Sequence, residues 1–420
     1  MRDVEFKGLV KVSVAGFHAR GLPKIFPRNE PVPAFKNINK VVVVTGPRRA
    51  GKTFFLYEIM EQLVKSGRQL EEFLYLNFEN ERISDIKQNQ LALIIEAYLE
   101  LYPNQKPVFF LDEVQNVPHW DKFVRRLKEE GFTVYLSGSN SKLLSKEIAT
   151  SLRGHSYPVE ILPFSFKEFL KVKGVNLSKN WEFDGTKPKV KKLFDEYLNL
   201  GGYPEIVLEN RLEFVDEYFK TMLFQDAVER YKVKNVELLR LLMKYLTRLY
   251  AQEYSINKFN NFAKSNNYKS STSVIQRYSK ILEDIYFCFL VNAKQKSFKK
   301  ETGYLKKAYL CDHAFINYYN TEKDPGRLLE NMVFLELVRR HEQSINYYKN
   351  GFECDFITTD KLIQVCHTLN EENKKREING LMEAKTKFKN KKSLILTYSQ
   401  EEELENGIQV IPVWKWLLSE

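Results

Sequence analysis

Twenty residues, "VVVVTGPRRAGKTFFLYEIM" from Val41 to Met60, restrict the fold of this chain more than any other stretch. The four valines read as a buried strand. Phe54, Phe55, Ile59 and Leu63 have the spacing of an apolar helix face. Between them, Gly46, Pro47, Arg48, Arg49, Ala50, Gly51, Lys52 and Thr53 match G-x-x-x-x-G-K-[ST] at every position, and Phe54 follows. Each residue type has a task. The glycines let the backbone turn tightly, so that successive N–H groups converge on an anion at a helix N-terminus. Pro47 removes one donor, but early in the loop. Lys52 is a point charge for β- and γ-phosphates, and the Thr53 hydroxyl is placed to ligand Mg²⁺. The stretch implies a phosphate-binding loop, with ATP and Mg²⁺ as its ligands.

Such a loop hydrolyses a nucleotide only with a carboxylate at the end of a neighbouring strand. "PVFFLDEVQNV" provides one: Asp112 would hold the metal and Glu113 would orient the attacking water. The next strand, "FTVYLSGSN", ends in Ser137, Ser139 and Asn140, polar groups placed to sense the γ-phosphate or the water. Arg153 is the candidate arginine that completes a site, in trans on a neighbour, which implies a homo-oligomer. Strands over 41–45, 73–78, 108–111 and 133–137 alternate with helical patterns. The fold class expected is therefore α/β, a parallel sheet with helices on both faces.

Charge is distributed unevenly. The chain carries 65 Lys and Arg against 54 Asp and Glu, a net of +11. Residues 231–310 alone hold 16 basic and 5 acidic side chains, so the whole excess lies in that block. It reads as three helices and a basic hairpin, a winged-helix pattern, with Ser255 as an N-cap. On the third helix Val274, Tyr278, Ile281 and Ile285 face inward. Gln276, Arg277 and Lys280 face outward, toward phosphates or bases of DNA, duplex or branched. Lys296, Lys299 and Lys300 on the wing would contact the backbone.

From Arg327 the order is helix, strand, strand, strand, helix, strand. It resembles the restriction-nuclease fold, whose chemistry requires two carboxylates on a divalent metal and a lysine. Glu330 and Asp355, with Glu353 beside the latter, stand where the acids belong. In "IQVCH", Gln364 replaces an acid and Cys366 the lysine, which predicts a nuclease-like domain without nuclease activity unless Lys361 or Lys374 enters from elsewhere. The cysteines Cys288, Cys311, Cys354 and Cys366 form no C-x-x-C pair and read as buried free thiols. No stretch is apolar enough to span a membrane and the N-terminus lacks a signal-peptide core, so a cytoplasmic location is expected.

Together, "GPRRAGKT", "FFLDEVQNVPHW", "LSGSNSKLLS", "PFSFKEFL" and "LGGYPEIV" resemble the archaeal and bacterial DEXX-box ATPases of the AAA+ superfamily. The resemblance implies a P-loop ATPase core over 1–165, a helical lid over 166–230, a winged helix over 231–315 and a PD-(D/E)XK nuclease-like domain over 316–420. Family members commonly carry G-R after the sensor helix, where this chain has Gly154-His155; the arginine falls instead at Arg153. The implied function is an ATP-hydrolysing, DNA-associated motor or switch. The alternatives are a signalling or defence switch that recruits proteins, and an ATP-gated nuclease.

Overall fold

β1 (Val41–Thr45) hydrogen-bonds in parallel to β4 (Thr133–Gly138) on one side and β5 (Ser156–Glu160) on the other. β2 (Phe73–Asn77) and β3 (Val108–Asp112) complete an all-parallel sheet in the order β2-β3-β4-β1-β5. The computed structural model describes residues 3–31, 40–83, 86–140, 152, 154–294, 305–404 and 407–419. They divide into two compact units, Met1–Leu162 and Pro163–Glu420.

In the first unit β1 to β4 are buried on both faces, which is why they are largely runs of Val, Phe and Leu without polar alternation. Val41, Val43, Leu74, Leu76, Phe109 and Leu111 pack with α1 (Asp3–Arg20), α3 (Leu93–Leu101) and α4 (Trp120–Glu129). Val42, Val44, Phe73, Tyr75 and Phe110 point to the opposite face, against Phe55, Leu56 and Ile59 of α2 (Lys52–Lys65). Expected strands 41–45, 73–78, 108–111 and 133–137 are all present. β5 and α1 are additions to the sequence reading.

The second unit opens with a helix, Phe166–Val172, capped by Ser165 and Glu168. "LGGYPEIV" ends the helix Lys187–Leu200 and starts Pro204–Glu209. A Cβ on Gly202 would lie 2.3 Å from the Phe164 carbonyl oxygen, so only glycine fits there. Next come helices Val236–Arg248, Ile256–Ser265 and Thr272–Asp284, with β6 (Gln252–Tyr254), β7 (Cys288–Val291) and β8 (Lys306–Leu310) in an antiparallel sheet ordered β6-β8-β7. Ser255 caps its helix by accepting from the Lys258 N–H at 3.3 Å. On the third helix Tyr278, Ile281 and Ile285 are buried as expected; Ile275 is buried too, while Val274 is half-buried.

The tail follows the expected order: helix Pro325–Arg339, then β9 (Asn346–Asn350), β10 (Phe352–Ile357), β11 (Lys361–Val365), helix Glu371–Lys387 and β12 (Lys392–Thr397). Two further strands, β13 (Glu402–Leu404) and β14 (Ile408–Pro412), extend a sheet ordered β13-β14-β12-β11-β10-β9. All four cysteines are buried free thiols. Among the described residues, no helix is long and apolar enough to cross a membrane.

Candidate functional site

The parallel register brings the polar ends of four strands, β1 to β4, side by side. Val44 pairs with Ser137, Thr45 with Gly138, and Asn77 with Asp112. The loop 46–51 leaves the end of β1 and runs into α2. Gly46 has φ 146°, and a Cβ there would stand 1.9 Å from the Ile161 carbonyl oxygen, so backbone lies directly on backbone. Arg28 braces the loop by donating to the carbonyls of Ala50, at 2.8 Å, and Leu162. Arg48 pairs with Glu79 beyond β2, and Phe54 is exposed, its ring edge-on to Tyr57.

Lys52 is buried. Its ammonium donates to the Pro47 carbonyl at 2.9 Å and lies 3.6 Å from Glu113. The Thr53 hydroxyl donates to Asp112 Oδ2 at 2.7 Å. Asp112 is fully buried and accepts two further hydroxyls, Tyr75 at 3.0 Å on Oδ2 and Ser137 on Oδ1. Burial, then the neighbouring Glu113 charge, pushes the Asp112 carboxyl above its ordinary range, and the three hydroxyls pull it back. Glu113 adopts a left-handed backbone, φ 51° and ψ 45°, uncommon for a residue with a side chain. Its N–H donates to Ser137 Oγ at 3.1 Å, and its carboxylate accepts from Gln115, whose amide also reaches Ser139 at 3.3 Å. Glu79 is likewise raised by burial and by Glu113.

This donor set fits a hard divalent cation. Thr53 and Asp112 already meet through oxygen, and the adjacent carboxylates Asp112 and Glu113 are buried, with Lys52 beside Glu113; the exposed Glu79, paired with Arg48, feels both of their charges. The loop, Lys52, Thr53, Asp112, Glu113, Ser137 and Ser139 thus come together as expected. Asn140 is buried at the end of β4. Arg153 lies outside the described residues. Sequence reasoning missed Tyr75 and Arg28. Tyr75 was detectable as an inward phenol next to the Asp112 strand; Arg28 follows α1 in an irregular segment that carries no periodic signal.

In the second unit, Gln276, Arg277 and Lys280 are exposed on the helix Thr272–Asp284. Arg277 donates to the Tyr231 carbonyl at 3.1 Å, and Lys280 lies 3.4 Å from Asp284. Lys296, Lys299 and Lys300 lie outside the described residues. Glu330, Asp355, Gln364 and Cys366 all line one cavity. Gln364 accepts from the Asp355 N–H at 3.3 Å and donates to Glu377 at 2.6 Å. Burial pushes the Cys366 thiol up to about 12, so it carries no charge at neutral pH. Neither Lys361, which pairs with Asp360 at 3.0 Å, nor Lys374 lines this cavity. Lys258, Lys307 and Lys349 do, and Lys307 is the buried one; its place on β8, two residues before Tyr309 and on the same face, turns it inward.

Residues 38–170 match an AAA domain family, and residues 191–325 match a domain of unknown function, DUF8612. The chain is 40% identical over 401 residues to the uncharacterized protein MJ1544 of Methanocaldococcus jannaschii, covering 91% of this chain and 89% of that protein. It is 31% identical over 399 residues to an uncharacterized protein of Haemophilus influenzae, covering 91% and 96%. Among solved structures, the Walker-type ATPase of Pyrococcus abyssi aligns with 70% of this chain and 98% of its own at 10% identity and a TM-score of 0.40. AMPPCP-bound DnaA from Aquifex aeolicus aligns with 59% and 84% at 15% identity and a TM-score of 0.29.

Proposed function

The chain belongs to the family of the uncharacterized Methanocaldococcus protein MJ1544, with an AAA-type P-loop domain in its first unit, and from that premise we propose that it is a Mg²⁺-dependent ATPase whose turnover responds to DNA. The observation that carries the hydrolytic part is the convergence of Lys52, Thr53, Asp112 and Glu113 at neighbouring strand ends. Thr53 and Asp112 would hold Mg²⁺, which when bound neutralises charge on the β- and γ-phosphate oxygens. Loop N–H groups bind the phosphates at the α2 N-terminus. Lys52 exchanges the Pro47 carbonyl for phosphate oxygen, so its charge is held ready and dry until substrate arrives. Glu113 orients the attacking water and accepts a hydrogen bond from it. Gln115 and Ser137 fix the angle of Glu113, the one through its carboxylate and the other through its N–H.

The DNA part draws on the three helices and β6-β8-β7 sheet of residues 236–310, read as a winged helix, and on the basic excess of that block. Gln276, Arg277 and Lys280 supply the helix contacts, with Lys296, Lys299 and Lys300 beside them in sequence. The tail is read as a nuclease-like fold kept for binding, because Gln364 stands where a metal-binding acid is needed. Arg153 is the proposed arginine acting on a neighbouring subunit. A second reading, a nucleotide switch that recruits a protein, is favoured by the Arg277–Tyr231 and Lys280–Asp284 pairings, which engage two of the three helix groups within the chain.

The test is steady-state ATPase activity with duplex, single-stranded and branched DNA across a salt series, with Glu113→Gln as control. Neutralising about 6 phosphates predicts roughly a 10³-fold loss of DNA affinity between 50 and 200 mM salt. Stimulation that fades with salt, and weakens in Lys299→Glu/Lys300→Glu, is expected. A rate indifferent to every DNA removes the DNA reading and leaves the protein-recruiting switch.

A further inference from the structure

The cavity of about 840 Å³ in the second unit has a charge cluster at its floor. Lys307 Nζ lies 2.8 Å from Glu330, 2.6 Å from Glu353 and 2.9 Å from Asp355. The lysine comes from β8, Glu330 from the helix Pro325–Arg339, and both Glu353 and Asp355 from one face of β10, two residues apart. Each carboxylate is fixed from behind. The Tyr309 hydroxyl donates to Glu330 at 2.6 Å, the Val365 N–H to Asp355 at 2.9 Å, and Lys349 lies 3.5 Å from Glu353.

An ammonium has three N–H donors and no acceptor, and here three carboxylates take up all three. The lysine side chain is only 4% exposed. Burial works against its charge, but Asp355 and Glu330, followed by Tyr309 and Glu353, outweigh burial and hold it protonated. Oxygens from three acids converging on one point also describe a hard-cation site, where the ligand distances would be 2.3–2.6 Å for Ca²⁺ or about 2.0–2.1 Å for Mg²⁺. In this cleft the point of convergence is a nitrogen. Among the described residues, no group of three or more His, Cys, Asp or Glu is arranged around a vacant metal position.

We propose that Lys307 is the resident cation of this cleft: its ammonium stands where Glu330, Glu353 and Asp355 would otherwise hold a divalent ion. As the chain stands, the cleft takes no Mg²⁺ or Mn²⁺, and shortening the lysine converts it into a divalent-cation site. The reason is electrostatic. Carboxylates gathered in a cleft without a counter-charge are strongly disfavoured. A tethered ammonium supplies that charge intramolecularly, at an effective concentration a free ion has to overcome. This inference stands on the second unit alone and is independent of the ATPase reading.

The experiment uses full-length, nucleotide-free protein titrated with Mn²⁺, with free Mn²⁺ followed by electron paramagnetic resonance. Four proteins are compared: wild type, Asp355→Asn, Lys307→Ala and Lys307→Ala/Asp355→Asn. Wild type and Asp355→Asn are expected to bind Mn²⁺ identically, because Thr53 and Asp112 are unaltered in both. Lys307→Ala is expected to gain one site, about tenfold or more tighter than any in wild type. The double variant loses it, and Mn²⁺ raises the Tm of Lys307→Ala alone. If Lys307→Ala folds only when Mn²⁺ is present, that rescue also supports the proposal. A wild-type Mn²⁺ site abolished by Asp355→Asn overturns it, since metal then displaces the lysine. So does a Lys307→Ala chain that gains no site or that Mn²⁺ cannot rescue.

Discussion

Tyr75→Phe removes a single hydroxyl from the nucleotide site while leaving the ring that packs between β2 and α2. Asp112 then keeps two of its three hydroxyl donors, Thr53 and Ser137. Burial and the adjacent Asp112 charge hold the Tyr75 phenol far above its ordinary range, so in the wild type it remains a donor at every working pH. A hydrogen bond to a charged group contributes about 1.5–3 kcal/mol, and with two donors remaining the lower end applies, about 1.5 kcal/mol. That is roughly one pKa unit for Asp112. The sign follows from the direction already present. Asp112 is raised by burial and by Glu113, its hydroxyl donors oppose that, and losing one raises it further. Only ionised Asp112 can hold the metal, so the acid limb of the ATPase pH profile should move up by about one pH unit. Below that limb, the Mg²⁺ concentration for half-maximal rate should rise several-fold; above it, kcat should approach wild type. Steady-state rates from about pH 5 to pH 9, each with an Mg²⁺ titration, measure both effects. An unmoved acid limb, or a loss equal at every pH, refutes the reasoning and assigns the tyrosine to packing.

Glu113→Gln should lower kcat by about 10²-fold or more while nucleotide affinity, read with a fluorescent ATP analogue, stays near wild type; loss of binding instead would make Glu113 a structural partner of Lys52. Burial first, and then Asp355, raise the Glu330 carboxyl above its ordinary range, against Lys307 and Tyr309. A raised carboxyl contributes stability that is full below the ordinary carboxylate range and is lost as pH rises through its raised value, so Glu330→Gln should flatten the fall in urea midpoint above about pH 4. An unchanged slope would place the pH dependence elsewhere. Gly202→Ala puts a Cβ 2.3 Å from the Phe164 carbonyl and parts a backbone hydrogen bond of 2.6 Å between Phe164 and Gly202. It should cost about 1–3 kcal/mol, visible as a lower Tm, and a neutral result would mean that the backbone yields freely there.

The nucleotide site was readable because each of its parts is local. Loop, strand and helix occupy one short segment, and Asp112-Glu113 ends an unbroken apolar run. β5 escaped detection for an equally local reason. "SYPVE" is an edge strand with two exposed positions and a proline, which an edge tolerates and a pattern search rejects. The spacing of Phe6, Val10, Val14 and Phe17 in α1 was available and marks one helical face. Charge counting misled in one respect. Lys307 was one of the sixteen basic residues counted over 231–310, yet it is buried against carboxylates, and Lys280 is paired with Asp284. A sum of charges cannot separate a solvated lysine from an internal counter-ion; the period-two alternation through Lys307 and Tyr309 can.

The registers that join Val44 to Ser137 and Asn77 to Asp112 determine how this chain can vary. Because main-chain pairing sets the site, substitutions on the surface of α1 or α4 leave it intact. One residue inserted into β1, β3 or β4 would turn every later side chain of that strand to the opposite face. Asp112 would then exchange places with a leucine. Length changes are therefore confined to the loops, where they alter what the site meets without altering how it is built.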